Sequence, residues 1–249
     1  MSGIVHEPER RKQNEHCQRF TQQTKSWSTR RIVITALLAA ITLLLAFTPI
    51  GLITMPAPLP SITLMHLPVI LAVLLEGPVV GVSIGFVFGI SSLIKAWGSG
   101  VLGLDLFFRN PLISVLPRMI IPLAVWATYK LLMKLFAKKG LGDKISSVVA
   151  SIVGSVTNTV LCLGLIILLY GADLTEYVNN LISAGNAVQT YLDHAGAWLV
   201  VVVGVPYGIA EAVAAAIIVP LVKIAVESAT KRVGHGRKAQ PAEVNKTQV

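Results

Sequence analysis

Long apolar runs with very few charges constrain the fold of this chain more than any other feature. Apolar residues make up 54% of its 249 residues, charged residues make up 13%, and the mean hydropathy is +0.72. Charged residues account for about 25% of a typical soluble domain. The sequence therefore predicts a membrane protein of the all-α class, built as a single bundle of transmembrane helices.

The apolar segments predict six helices joined by short connections. The second is too short to cross a bilayer upright unless its ends are buried in protein. Residues 48–63 contain four prolines and are predicted to form an extended loop. This gives a polar basic tail (residues 1–30), a membrane domain (31–227) and a C-terminal tail (228–249). The predicted helices run from about Arg31 to Phe47, Leu64 to Leu75, Val79 to Trp97, Pro111 to Phe136, Ile145 to Tyr170 and Ala195 to Val226.

The net charge of +9 is unevenly distributed. Of the 21 Lys and Arg residues, seven precede Ile32, five lie between Lys130 and Lys144, and six follow from Lys223 onward. Basic residues in alternate connections indicate the cytoplasmic side of a membrane, not a nucleic-acid surface. Six crossings would place both termini in the cytoplasm of a multi-pass protein of the cell membrane. The predicted outer loop is acidic and contains Asp173, Glu176 and Asp193.

Two charges lie inside long apolar runs, Arg118 in residues 111–122 and Glu211 in residues 200–220. A charge at mid-bilayer costs about 2.5–3.5 kcal/mol, so such residues normally face a bundle interior and mark a ligand or a transport path. Opposite charges in one bundle usually meet, which favours a structural ion pair between them. A contact from Glu211 to a ligand hydroxyl is the alternative. Tyr207, four residues earlier, shares a helix face with Glu211.

Other polar residues also suggest a binding site. Asn158 lies at membrane depth and needs hydrogen-bond partners, either from a ligand or from another helix. Lys95, Trp97, Arg109 and Asn110 surround the predicted connection between the third and fourth helices. Trp97 alone is typical of the interfacial belt. Two cations and an asparagine together would suit an anionic solute arriving from outside.

Small residues recur every four positions on two predicted helices. Gly77, Gly81, Gly85 and Gly89 would share one face, where tight internal packing is favoured over a sliding interface. Ala36 and Ala40 form a small-xxx-small pair on the first helix, which is a weak sign of a docking face. His66 is more typical of a loop or packing residue than of a ligand. Cys17 and Cys162 do not indicate a disulfide or a metal site.

The chain has no ATP-binding loop, no zinc-binding helix motif and no nucleophile elbow, so no cofactor is predicted. An intramembrane enzyme that acts on lipid-linked substrates, with Glu211 as acid or base, is an alternative function. It lacks a second catalytic group that converges with Glu211 in the sequence. A standalone channel or secondary carrier is a third possibility, and the absence of an internal repeat weighs against it.

Several segments resemble one transporter family. Residues 64–78 (LMHLPVILAVLLEGP) and the following run to Leu93 resemble the substrate-binding (S) components of energy-coupling factor (ECF) vitamin transporters. Residues 107–118 (FFRNPLISVLPR), 157–161 (TNTVL) and 207–212 (YGIAEA) are similar to the pantothenate-type branch. The resemblance extends from about Arg31 to Val226.

The resemblance implies a six-helix protein that binds a vitamin outside, topples in the membrane and releases the vitamin inside. It also implies docking to a transmembrane coupling subunit and two cytoplasmic ATPases, with Ala36 and Ala40 at that interface. The loop after the first helix would cap the site. Arg118 or Arg109 would bind the pantothenate carboxylate, and Asn158 and Glu211 its hydroxyl and amide groups. Folate, riboflavin and cobalamin are alternative substrates, since pockets differ within one fold.

Overall fold

The structure is a computed structural model that describes residues 29–49, 51–53, 62–98, 103–136, 142–183 and 195–238. Most of these residues are helical, and the one sheet among them is an antiparallel pair of two-residue strands, which confirms the all-α class. The strands are β1 (Leu52–Ile53) and β2 (Ile62–Thr63). A 3₁₀ helix covers Gly103–Arg109 and a π-helical segment covers Leu199–Gly204. The α-helices are α1 (Thr29–Phe47), α2 (His66–Glu76), α3 (Pro78–Ala96), α4 (Pro111–Ser114), α5 (Leu116–Leu135), α6 (Gly142–Ser183), α7 (Ala195–Trp198) and α8 (Val205–Lys238).

Five helical stretches of the described chain are long and apolar enough to cross a membrane. Helix α2, with 11 residues, is shorter than a span requires. The chain is therefore a multi-pass membrane protein. The count of six crossings, the cytoplasmic termini and the domain boundaries stay predictions. The five stretches are Thr29–Phe47, Pro78–Ala96, Pro111–Leu135, Gly142–Leu181 and Ala195–Ala229.

The short helix α2 lies in the interior of the bundle. Every residue from His66 to Leu74 is buried, and α2 packs against α3, α5, α6 and α8. The sequence requires protein around this helix, because 11 residues cannot bridge the hydrocarbon core. Four neighbouring helices supply that protein, so α2 is the central element of the fold.

Helix α3 approaches α5 closely along its glycines. A Cβ atom at Gly85 would collide with the carbonyl oxygen of Arg118, and one at Gly89 would lie 2.8 Å from the Cα of Val115. A Cβ at Gly81 would collide with Val73 of α2. Gly77 has a different position, in the turn between α2 and α3, where its φ of 93° is a conformation that favours glycine.

Helix α6 continues beyond the predicted end of the fifth helix. Tyr170 has non-helical angles, but the chain resumes as helix to Ser183. The prediction that Asp173 and Glu176 lie in a loop is therefore wrong, while Asp193 lies outside the described residues. Leu174 and Val178, four residues apart, are fully buried and pack in a cluster with Trp198. This apolar face keeps the segment helical despite its acids.

A buried lysine joins three helices at the end of the bundle where α6 begins. Lys223 of α8 is 3% exposed, and its Nζ contacts the Asp143 carboxylate and donates to Ser147 Oγ at 3.0 Å, both on α6. Tyr129 of α5 donates to Asp143 at 2.6 Å. Because a buried charge is costly unless it has polar partners, these contacts of Lys223 join α5, α6 and α8.

Candidate functional site

Arg118 lies near the start of α5 and is 4% exposed. Its Nη1 donates to the Ile113 carbonyl oxygen and, at 3.0 Å, to Cys162 Sγ on α6. In a continuous helix the Ile113 carbonyl would accept from the backbone nitrogen of residue 117. Residue 117 is proline and has no N–H, so that carbonyl stays available. The guanidinium of Arg118 takes the place of the missing donor.

Two aromatic rings fix the plane of this guanidinium. The Cζ of Arg118 lies 5.1 Å from the ring centre of Phe88 on α3 and 4.9 Å from that of Phe108 in the 3₁₀ helix. Cation–π contacts of this kind strengthen where water is excluded. The side chain is therefore held on several sides by the protein.

The charge of Arg118 is not neutralised by a neighbouring carboxylate. No acidic side chain in the described part of the chain lies within ion-pair distance of it. Its Nε–H is buried and has no hydrogen-bond partner. Buried arginines are normally paired. The free Nε edge is thus a place where a ligand carboxylate would fit.

Glu211 of α8 is 6% exposed and is bound by a loop residue. Its Oε1 accepts from the Thr63 backbone N–H at 2.8 Å and from the Thr63 hydroxyl at 3.1 Å. The expected ion pair with Arg118 is wrong, because Thr63 holds Glu211 while Ile113 and Cys162 hold Arg118. The two charges interact only at longer range. Glu211 fastens β2, the end of the predicted capping loop, to α8.

Asn158 and Cys162 lie one turn apart on α6 and are both buried. The Cys162 thiol donates to Asn158 Oδ1 at 3.6 Å and accepts from Arg118. The structure thus brings Asn158 and Arg118 into one hydrogen-bonded group through a cysteine. No role for Cys162 was predicted from the sequence. Its spacing of four from Asn158 was the available signal.

The structure gives Arg109 and Trp97 local protein partners. Arg109 Nε donates to the Ala96 carbonyl oxygen at 2.9 Å, and its Cζ lies 5.5 Å from the centre of the Trp97 ring. The Trp97 indole N–H donates back to the Arg109 carbonyl oxygen at 3.3 Å. These bonds fasten the end of α3 to the 3₁₀ helix. A contact of either residue with substrate stays a prediction.

Lys95 and Asn110 also have partners. Lys95 Nζ donates to the Ala46 carbonyl oxygen at 3.5 Å. Burial raises the pKa of the Asp105 carboxyl, and the positive charge of Lys95 partly opposes this shift. Asn110 caps the N-terminus of α4 by accepting from the Leu112 N–H at 2.9 Å, and its amide donates to the Tyr170 hydroxyl at 3.2 Å.

Tyr207 is half-buried and packs against the hydrophobic cluster around Trp198. An apolar groove of about 750 Å³ runs between α6 and α8. It is lined by side chains such as Val156, Val160 and Ile209, and none of the buried charges reaches it. Its chemistry suits lipid or another apolar surface, so it is not the site of a charged ligand.

On α1, Ala36 and Ala40 are exposed, whereas Leu38, Thr42 and Ala46 are its buried residues. The small pair is therefore accessible from outside the bundle. Close approach of a second helix needs small residues that face outward. The accessibility is compatible with the docking role implied by the family resemblance, and that role stays a prediction.

Comparison with known proteins identifies a membrane-transporter family. The model of the family described as "ECF transporter, substrate-specific component" matches residues 30–223 of the 249. No curated protein matches the chain. The family match covers every helix that contributes to the polar group around Arg118. The chain therefore belongs to the substrate-specific components of ECF transporters, which are substrate-binding subunits rather than enzymes.

Proposed function

We propose that this chain binds pantothenate as the S component of an ECF-type importer in the cell membrane. Uptake of pantothenate into the cell would depend on a transmembrane coupling subunit and two cytoplasmic ATPases. Membership of the family supports a vitamin-type substrate and association with such partners in general. The choice of vitamin rests on the chemistry of the buried polar group.

The observation that carries this choice is the buried guanidinium of Arg118, which forms no ion pair with an acidic side chain in the described part of the chain. A buried cation with a free N–H edge and no ion-pair partner favours an anionic ligand. Charge-assisted hydrogen bonds from a guanidinium to a carboxylate are the strongest polar contacts available to it. Pantothenate has one carboxylate, and its remaining polar groups are an amide and two hydroxyls.

The neighbours of Arg118 suit those neutral groups. Thr63 uses only Oε1 of Glu211, and Oε2 accepts no hydrogen bond from the described residues. Glu211 can therefore accept from a ligand hydroxyl without releasing the loop. The Asn158 amide offers both a donor and an acceptor for the ligand amide. A buried cation, a hydrogen-bond acceptor on Glu211 and the Asn158 amide together suit a small hydroxylated acid.

The test compares pantothenate with panthenol, in which an alcohol replaces the carboxylate. Wild-type protein should bind pantothenate more tightly. Arg118→Gln should weaken pantothenate binding by about 10–100-fold and remove this preference, since a charged hydrogen bond contributes ~1.5–3 kcal/mol. Arg109→Gln tests the other predicted carboxylate ligand, and we expect a smaller loss because Arg109 Nε already donates to the Ala96 carbonyl oxygen. Both dissociation constants can be measured by titration calorimetry.

Two results would contradict the proposal. Unchanged pantothenate binding by folded Arg118→Gln would mean that Arg118 is only structural. Tighter binding of folate, riboflavin or cobalamin than of pantothenate would replace the proposed vitamin while leaving the family role in place.

A further inference from the structure

His66 is a fully buried histidine without a hydrogen bond. It is the first residue of α2, its exposure is 0%, and neither Nδ1 nor Nε2 has a partner in the described structure. The Thr63 backbone lies beside the ring without making a hydrogen bond of normal geometry. Because buried polar groups in proteins almost always have partners, an imidazole with two free nitrogens requires an explanation.

The position of His66 in the fold suggests an explanation for its two unpaired nitrogens. It follows Thr63, the residue that holds Glu211, by three positions, and it lies within electrostatic range of Arg118. The Nε of Arg118 is also buried and without a partner. Two buried groups that lack hydrogen-bond partners, the His66 ring and the Arg118 Nε, are therefore within electrostatic range of each other, and Arg118 belongs to the polar group that joins α5 to α6 through Cys162.

We infer that His66 is a ligand-binding residue that hydrogen-bonds a hydroxyl group of the ligand, next to the carboxylate bound by Arg118. This inference rests on the proposed function and adds a residue and a chemical group to it. An uncharged imidazole has one donor and one acceptor, and a hydroxyl has both as well. A second cation beside Arg118 would be repelled in this low-dielectric interior, so a neutral group is the suitable partner.

A ligand-binding His66 should have two measurable effects that a histidine used only for packing would not have. In the ligand-free protein, the unpartnered nitrogens lower stability, because burying a polar group without a hydrogen bond is unfavourable. In the complex, the same nitrogens increase affinity. Removing them should therefore stabilise the empty protein and weaken the complex.

The experiment uses His66→Met, which has a similar volume and an adaptable apolar side chain. The midpoint temperature of the ligand-free protein should rise by about 2–4 °C. Affinity for pantothenate should fall about tenfold. The analogue of pantothenate that lacks both hydroxyls should bind His66→Met and wild type equally. His66→Gln keeps a donor and an acceptor and should retain part of the preference for pantothenate.

Ser146→Ala is the matched control. Ser146 is also fully buried and its hydroxyl has no partner, but it lies twelve residues before Asn158, about 18 Å along α6. Ser146→Ala should leave unchanged the affinities for pantothenate and for the analogue that lacks both hydroxyls. A lower midpoint temperature of ligand-free His66→Met, or failure of this variant to fold, would show that protein or a bound water already satisfies the ring. Either outcome overturns the inference. The midpoint temperature is measured without ligand, so this test remains valid even if pantothenate is not the vitamin. Unchanged pantothenate affinity would overturn it as well.

Discussion

At the scale of the residue, Arg118 depends on a proline that is next to it in the chain. Pro117 has no N–H for the Ile113 carbonyl, and Arg118 Nη1 donates to that carbonyl instead. The guanidinium is therefore oriented, with its Nε free, by the missing backbone hydrogen bond from residue 117 to the Ile113 carbonyl. A residue can shape a site in this way without contacting the ligand.

This dependence predicts the effect of Pro117→Ala. The new N–H would compete for the Ile113 carbonyl, so Arg118 would lose one of its two anchors. We expect pantothenate affinity to fall about 3–10-fold, the range of one neutral hydrogen bond, while the helix remains folded. Calorimetric titration measures the affinity. Pro78→Ala is the control, since a proline in the first turn of a helix leaves no intrahelical acceptor unpaired. Equal losses in both variants would contradict the role of Pro117.

The sequence shows which charges are buried but not what they contact. Arg118 and Glu211 are predictable because each interrupts a long apolar run. Their partners are not, since Thr63 is separated from Glu211 by 148 positions and lies next to a proline-rich loop. His66 gives no signal in the sequence, because a single histidine is compatible with packing. Its lack of partners can be seen only in three dimensions.

At the scale of the element, the site depends on how closely α3 and α5 pack. Gly85 lies against the backbone of Arg118, so any side chain there would push the two helices apart. The four-residue spacing of glycine made a packing face predictable. Gly77 does not belong to that face: it lies in the turn that the adjacent Glu76 and Pro78 predicted between the second and third helices. Likewise, Asp173 and Glu176 near the end of α6 led to a loop prediction, although the apolar residues Leu174 and Val178 keep this segment helical.

Gly85→Ala should therefore destabilise the protein and reduce pantothenate binding together. The displaced Arg118 carbonyl would carry its side chain away from Cys162, and overpacking of this kind typically costs about 1–3 kcal/mol. Gly164→Ala provides the comparison, because a Cβ at Gly164 has no atom within 4 Å. Thermal unfolding followed by circular dichroism would measure stability. A Gly85→Ala protein as stable as Gly164→Ala would show that α3 can shift at little cost.

Helix α1 allows binding and docking to be separated. Tryptophan at Ala36 or Ala40 would cover the exposed small face and prevent close approach of a coupling helix. Pantothenate binding by the isolated protein should persist, whereas ATP-driven uptake by the assembled complex should fall at least tenfold. Ile41→Trp, exposed on another side of the same helix, should support normal uptake. Full uptake with Ala40→Trp would remove this face from the proposed interface.

At the scale of the whole molecule, we expect the chain to bind its substrate without driving accumulation by itself. No ATP-binding motif is present in the sequence. Binding alone shifts populations only by the difference in affinity between two states, and it does not sustain a gradient. The proposed partners would have to supply the energy.

Proteoliposomes that contain only this protein should therefore show saturable binding of radiolabelled pantothenate without accumulation under a proton or sodium gradient. Adding the coupling subunit and both ATPases, with ATP on the cytoplasmic face, should produce uphill uptake. Accumulation by the lone protein would instead indicate a secondary carrier. As a control, vesicles with the complete complex and a non-hydrolysable ATP analogue should show binding of pantothenate without uphill uptake.

The buried helix α2 also limits the speed of any passage through the centre of this bundle. A water-filled route past it would have to wet side chains such as Val69, Ile70 and Leu74, all of which are buried. At about 1.5–3 kcal/mol for each large apolar side chain exposed, wetting this helix would cost about 10–20 kcal/mol. A barrier of that size slows crossing by roughly seven to fifteen orders of magnitude. A water-filled route past α2 would therefore be too slow to carry a solute bound beside Arg118, which is consistent with the reorientation in the bilayer that the family resemblance implies.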